Sequence, residues 1–287
     1  MTLLEFTGCS LLGFGPTLSM FVLTVAGQPS RVIVFVTGSF FWLLSLLLAS
    51  LTWLALLPLR HYTTPGVAIA VLSQACPRLL SFLNPTRVGD LRSTFDTYFR
   101  SCELRLSVKR CCSPQEGFRL LFFRVLRKAE RVLNAVALTG ADEVARMRSR
   151  LSFAYAAGLA FGAMSALFSL LGQLADALGP GTAGLHGSTP RRLDAAAITA
   201  ATFSVLHVFW ALVSFHALDT RRWSVLAFAP AAHLAASAAT LLTPAGDYAV
   251  SLGALCAVLV VSAAMAFNAA GGCAGNLAAV FTRGSNE

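Results

Sequence analysis

Long apolar blocks alternate with short polar breaks along the chain. The blocks fall at about 3–26, 32–59, 152–178, 195–218, 222–243 and 248–270. Such blocks have the roughly 20-residue length that lets a helix cross about 30 Å of hydrocarbon. Backbone amides and carbonyls find no water there, so a helix is the form each block should take. The breaks carry turn chemistry: Gly27-Gln28-Pro29 after the first block, Asp219-Thr220-Arg221-Arg222 after the fourth, Thr243-Pro244-Ala245-Gly246 after the fifth. Between the third and fourth, the run from Gly179-Pro180-Gly181 to Thr189-Pro190 cannot be helical throughout.

Composition agrees with a membrane setting. Apolar residues make up 56% of the chain and charged residues 12%, against about 25% charged in a soluble domain. A net charge of +9 would point to nucleic acid in a soluble protein. Here the basic residues collect in short loops beside the apolar blocks, without an aromatic-interleaved basic face, so nucleic acid is set aside. No cleavable signal is expected, since the start lacks a basic region and 1–27 reads as a whole span.

Charge also predicts orientation. Arg60, Arg191 and Arg192 form the smaller group; Arg31, the basic residues of 127–150, Arg221, Arg222 and Arg283 form the larger. Placing the larger group in the cytosol puts the N-terminus on the lumenal or extracellular side and the C-terminus in the cytosol. That arrangement needs an odd number of crossings. A seventh span is therefore expected between Arg60 and Arg127, assembled from 66–72 and 117–126, each too short alone. The expected fold is an all-α membrane protein, a bundle of seven transmembrane helices.

The segment separating those two pieces, 75–114, differs from the rest of the chain, with seven basic residues, three prolines and four cysteines. It reads either as an insertion such as a retained intron or as a loop between two half-helices. The expected organisation is thus 1–74 (helices one, two and the start of three), 75–114 (the atypical insertion), 115–150 (the rest of helix three and a cytosolic loop), 151–272 (helices four to seven) and 273–287 (a cytosolic tail). The 128–146 stretch reads as a cytosolic or interfacial helix.

Gly158, Gly162 and Ala166 place small residues at four-residue intervals, a groove into which another helix can pack closely, and a partner's helix is the expected occupant. Ordinary membrane-helix composition also supplies glycine, so spacing alone is weak. His207 and His233 lie mid-block, where a polar ring must face the bundle interior and find a partner; a structural hydrogen bond between helices accounts for them. Glu116 and Arg119 share a helix face and can pair, either at membrane depth or as solvated charges at the interface. His216 and Asp219 at a helix end, and His186 in a loop, are explained by exposure. The seven cysteines have no metal-ligand spacing, and Cys9 and Cys256 read as small hydrophobes. No metal, cofactor or catalytic residue is expected.

The chain contains the ordered strings Phe14-Gly15-Pro16, Val25-Ala26-Gly27-Gln28-Pro29-Ser30-Arg31-Val32-Ile33 and Phe40-Phe41-Trp42-Leu43-Leu44-Ser45. Ala175-Asp176-Ala177-Leu178-Gly179-Pro180-Gly181, Gly184-Leu185-His186-Gly187 and Leu206-His207-Val208-Phe209-Trp210 follow further along. Together these strings resemble the Aph (anterior-pharynx-defective) family, the scaffold subunit of γ-secretase. The resemblance covers roughly 8–74 and 115–272, and the family's pattern runs directly from one to the other. It implies a seven-span hetero-oligomeric scaffold of endoplasmic reticulum, Golgi and plasma membranes, surrounded by membrane lipid, with presenilin, nicastrin and the presenilin enhancer subunit as partners. Presenilin supplies the catalytic aspartates, and the complex processes proteins such as Notch receptors and the amyloid precursor. The resemblance also implies an assembly role for the small-residue motif, from which the chain departs at Ala166, and for both histidines.

Glu116, Arg119, His207 and His233 also resemble, faintly, the motifs of CAAX-type intramembrane proteases, so a metal-dependent intramembrane hydrolase is the alternative. The second glutamate of that pattern is missing, because Gln115 precedes Glu116, and Ser237 follows His233 where Asn or Asp is wanted. A general base without an acidic partner or metal set is incomplete. A Ser165–His233 dyad lacks the usual elbow. A transporter would need a polar line and internal repeats, and neither is found.

Overall fold

The computed structural model describes residues 3–56, 102–137, 143–178, 191–245 and 247–272, and the regular elements among them are helices. They are α1 (Leu3–Met20, continued by a π-turn, Phe21–Val25), α2 (Pro29–Leu56), α3 (Cys102–Ala137), α4 (Glu143–Leu178), α5 (Arg191–Asp219), α6 (Trp223–Leu226), α7 (Phe228–Ala239, continued by a 3₁₀ turn, Thr240–Ala245) and α8 (Tyr248–Ala269). Among the described residues five stretches are long and apolar enough to cross a membrane: Leu4–Val25, Pro29–Leu51, Ser149–Ala175, Arg192–Asp219 and Tyr248–Ala269. The protein is an all-α, multi-span integral membrane protein.

Two differences from the sequence reading have physical causes. The block at 222–243 is not one helix but α6, a turn at Ala227, α7 and a 3₁₀ turn. Pro230 has no amide proton to give the carbonyl of Leu226, and its ring crowds that carbonyl, so the helix breaks between them. The 128–146 stretch is also divided. Residues 128–137 finish α3, while Glu143 opens α4, since no glycine or proline interrupts 118–137. Of the expected third span, 66–72 lies outside the described residues. Its other piece sits on α3, whose backbone passes without a break from Cys102 through the 114/115 boundary.

The bundle is built around α4 and α5. Of their candidate spans, 56% and 50% is buried inside the protein, against 22% for those of α1, α2 and α8. α1 packs on both central helices, α2 on α4, and α8 on α5; α3 lies between α2 and α7. One core cluster joins Val25, Trp42, Phe122, Leu159, Phe161, Val208 and Phe215 across α1 to α5. A second joins Leu206 and Trp210 of α5 to Ala229, Ala236 and Leu255 of α7 and α8. Leu11, Leu23, Ile33, Phe40, Leu47, Val260 and Val261 on the outer helices are exposed, the surface an acyl chain would cover.

The end of α5 is tightly specified. The amide of Arg222 donates to the carbonyl of Ala217 at 2.9 Å and that of Arg221 to Leu218 at 3.4 Å, the bond pair that closes a helix through a left-handed residue. That residue is Arg221, at φ 56°, where glycine is favoured and another side chain costs roughly 1–2 kcal/mol. Just before it, Asp219 accepts two bonds from Arg127 of α3, at 2.9 and 2.6 Å. Glu130 accepts from Arg127 at 3.0 Å and from Arg150 of α4 at 2.8 Å. Asp219, read from sequence as merely exposed, thus clasps α5 to α3.

Candidate functional site

Two places on α5 gather the residues singled out in the sequence, and each uses a different face of that helix. Ser204, Val208 and Ala211 recur at helical spacing and point at α4. A Cβ added to Gly158 would stand 2.6 Å from Cα of Val208, 2.8 Å from Cβ of Ala211 and 2.9 Å from the carbonyl oxygen of His207. One added to Gly162 would run into the Ser204 backbone, including its carbonyl oxygen. The register, 158 against 208 and 162 against 204, belongs to an antiparallel pair. Ala166, one turn further on, is fully buried with Cys9, Leu170, Leu174, Ala197 and Ala200. The sequence reading placed a foreign helix in this groove. The structure fills it with the chain's own α5, because the two central helices approach backbone to backbone there.

The neighbouring face of α5 carries Phe203, His207 and Trp210, and there the four polar residues converge. Arg119 donates from Nη1 to both carboxylate oxygens of Glu116 at 2.7 Å, and from Nη2 to Nδ1 of His207 at 2.8 Å. His233 on α7 donates from Nδ1 to Oε1 of Glu116 at 2.9 Å. Of the two readings left open for Glu116 and Arg119, the geometry is that of a buried pair. Arg119 is 2% exposed and Glu116 14% by side chain. An isolated charge at such a place is prohibitive, while a close pair cancels its own charge.

Hydrogen-bond chemistry fixes the tautomer of His207. A guanidinium only donates, so Nδ1 of His207 supplies the lone pair and the ring proton sits on Nε2. That Nε2 and Arg119 Nε have no hydrogen-bond partner among the described residues. The guanidinium lies over the Phe161 ring of α4, 5.5 Å from its centroid. Trp210 stacks on His233 at 4.7 Å and 27°, and donates from Nε1 to Oγ of Ser262 on α8 at 3.1 Å. Sequence reasoning missed Trp210, Phe161 and Ser262. The signal for Trp210 was its place one turn beyond His207 on the same helix face.

The cluster ties α3, α4, α5, α7 and α8 together. Its chemistry is that of a latch. Both oxygens of Glu116 accept from a cation or a ring, and the lone pair of His207 is taken by Arg119, whereas a general base must turn its lone pair towards a substrate proton. Among the described residues no three of His, Cys, Asp and Glu are grouped to hold a metal ion.

Comparison with known proteins gives a consistent result. A family model described as Aph-1 protein matches residues 4–97 and 91–273. The chain is similar to gamma-secretase subunit Aph-1 of Drosophila melanogaster, 34% identical over 272 residues that cover 95% of each chain. It is also similar to gamma-secretase subunit APH-1B of Homo sapiens, 32% identical over 272 residues, 95% of this chain and 91% of that one. Gamma-secretase subunit APH1-like of Arabidopsis thaliana is 27% identical over 253 residues, 86% of this chain and 84% of that one.

Proposed function

The chain belongs to the Aph-1 family, and on that premise we propose that it is a non-catalytic scaffold subunit of a γ-secretase complex. The observation that carries the reading is likeness, over nearly the full length, to proteins named as subunits of that complex. Its partners are presenilin, which supplies the catalytic aspartates, nicastrin and the presenilin enhancer subunit. Its spans number seven, with the N-terminus lumenal and the C-terminus cytosolic, in endoplasmic reticulum, Golgi and plasma membranes. Gly158, Gly162 and Ala166 serve assembly by packing α4 on α5, and Glu116, Arg119, His207 and His233 by latching α3 and α7 onto that pair. We read residues 75–114 as an insertion within the third span; a mature transcript lacking them would mark them as unspliced intron.

The scaffold reading is supported by engaged polar groups rather than poised ones. No observation favours a hydrolase related to CAAX-type proteases. Depleting the protein should abolish intramembrane cleavage of a single-span substrate such as a Notch receptor, and the wild-type chain should restore it. Undiminished cleavage after depletion would overturn the proposal.

A further inference from the structure

Where α3 and α4 pass the C-terminal end of α5, the described residues carry more positive charge than their carboxylates can answer. Arg124, Lys128 and Arg131 are exposed on α3 and, spaced four and three apart, line one face of it. Arg127 forms the edge of that face, and its bonds to Asp219 set the basic face beside the turn holding Arg221 and Arg222, both exposed. Among the described residues the nearby carboxylates are already engaged, Asp219 by Arg127 and Glu130 by Arg127 and Arg150.

We propose that this ledge binds the anionic headgroup of a membrane phospholipid. Its level in the membrane comes from the candidate spans, since one ends at Asp219 and another begins at Ser149. Trp223, 72% exposed, follows Arg222 directly, an aromatic at the height where such rings meet headgroups. Leu121, Val125 and Val132 are exposed along the neighbouring stripe of α3, so cations for a headgroup adjoin apolar side chains for acyl chains. A second, independent sign is Arg221 itself. It occupies a left-handed backbone position, φ 56°, that glycine would fill without strain, and strain held in place marks a side chain with a use beyond the fold.

The test uses the purified full chain in nanodiscs of phosphatidylcholine containing a minor fraction of phosphatidylserine. Mass spectrometry reads the lipid retained after gentle re-extraction. Phosphatidylserine should be enriched over its bulk fraction. Arg221→Gly should lower that enrichment about fivefold, the factor equivalent to about 1 kcal/mol per basic residue at an anionic surface. Adding Arg222→Gln should lower it as much again. Arg221→Gly preserves the helix ending, so its thermal unfolding should not worsen and loss of lipid cannot be blamed on misfolding. Arg192→Gln, at the other end of α5, should leave the enrichment unchanged. No enrichment in the wild type, or an equal fall with Arg192→Gln, would overturn the proposal. So would enrichment untouched by the ledge substitutions while a protein partner is lost on co-purification, which would assign the ledge to an acidic protein surface.

Discussion

The two contacts made by adjacent faces of α5 hold helices together by opposite means. Against α4 the contact depends on side chains that are absent: at Gly158 and Gly162 the backbones of two helices occupy the space a Cβ would need. Against α3 and α7 it depends on the most polar side chains in the bundle, Arg119, Glu116, His207 and His233, closed around one another. In a membrane neither contact gains from expelling water, because lipid tails are as apolar as leucine. The first gains close packing, the second mutual satisfaction of groups that lipid cannot solvate. The first should therefore fail by added volume, the second by loss of one member.

Removing one member of the polar cluster should have the largest effect. Glu116→Gln leaves the guanidinium of Arg119 buried without its counter-charge and should cost about 3–5 kcal/mol, read as a lower unfolding midpoint in detergent. Replacing both members, Glu116→Met with Arg119→Met, should recover part of the loss, because no charge is then stranded, although His207 and His233 each lose a bond. A double replacement as damaging as the single one would show that geometry rather than charge balance holds the cluster.

Added volume comes next. Gly162→Ala, which drives a methyl group into the Ser204 backbone, should cost about 1–3 kcal/mol in the same assay. Smaller again, Trp210→Phe, which removes the bond to Ser262, should cost about 0.6 kcal/mol, the usual worth of such a bond between membrane helices. Gly172 supplies the control of opposite sign. A Cβ there meets nothing within 4 Å, so Gly172→Ala should stabilise by about 0.5–1 kcal/mol. If Gly162→Ala and Gly172→Ala behave alike in unfolding, the backbone-to-backbone account of the seam fails.

The apolar blocks were legible because span length and hydropathy are properties of a segment by itself. The block at 222–243 shows as one run because hydropathy does not register Pro230, yet the lost amide at 230 acts on the carbonyl of Leu226 whatever the hydropathy. Spacing disclosed that Gly158, Gly162 and Ala166 admit a helix but not whose, because that depends on how α5 folds back. Glu116, Arg119, His207 and His233 stood out singly, as costly residues in apolar surroundings. Their convergence required tertiary structure, with Arg119 and His207 meeting across 88 positions. Asp219 gave no signal of its clasp to Arg127, because a charge at a helix end looks the same whether it is solvated or paired.

The scaffold role rests on company, and affinity purification of the full chain from native membranes in mild detergent measures company directly. Recovery together with a presenilin-type intramembrane aspartyl protease, a nicastrin and a presenilin enhancer subunit is the predicted result. Recovery of a folded chain with none of them would contradict it.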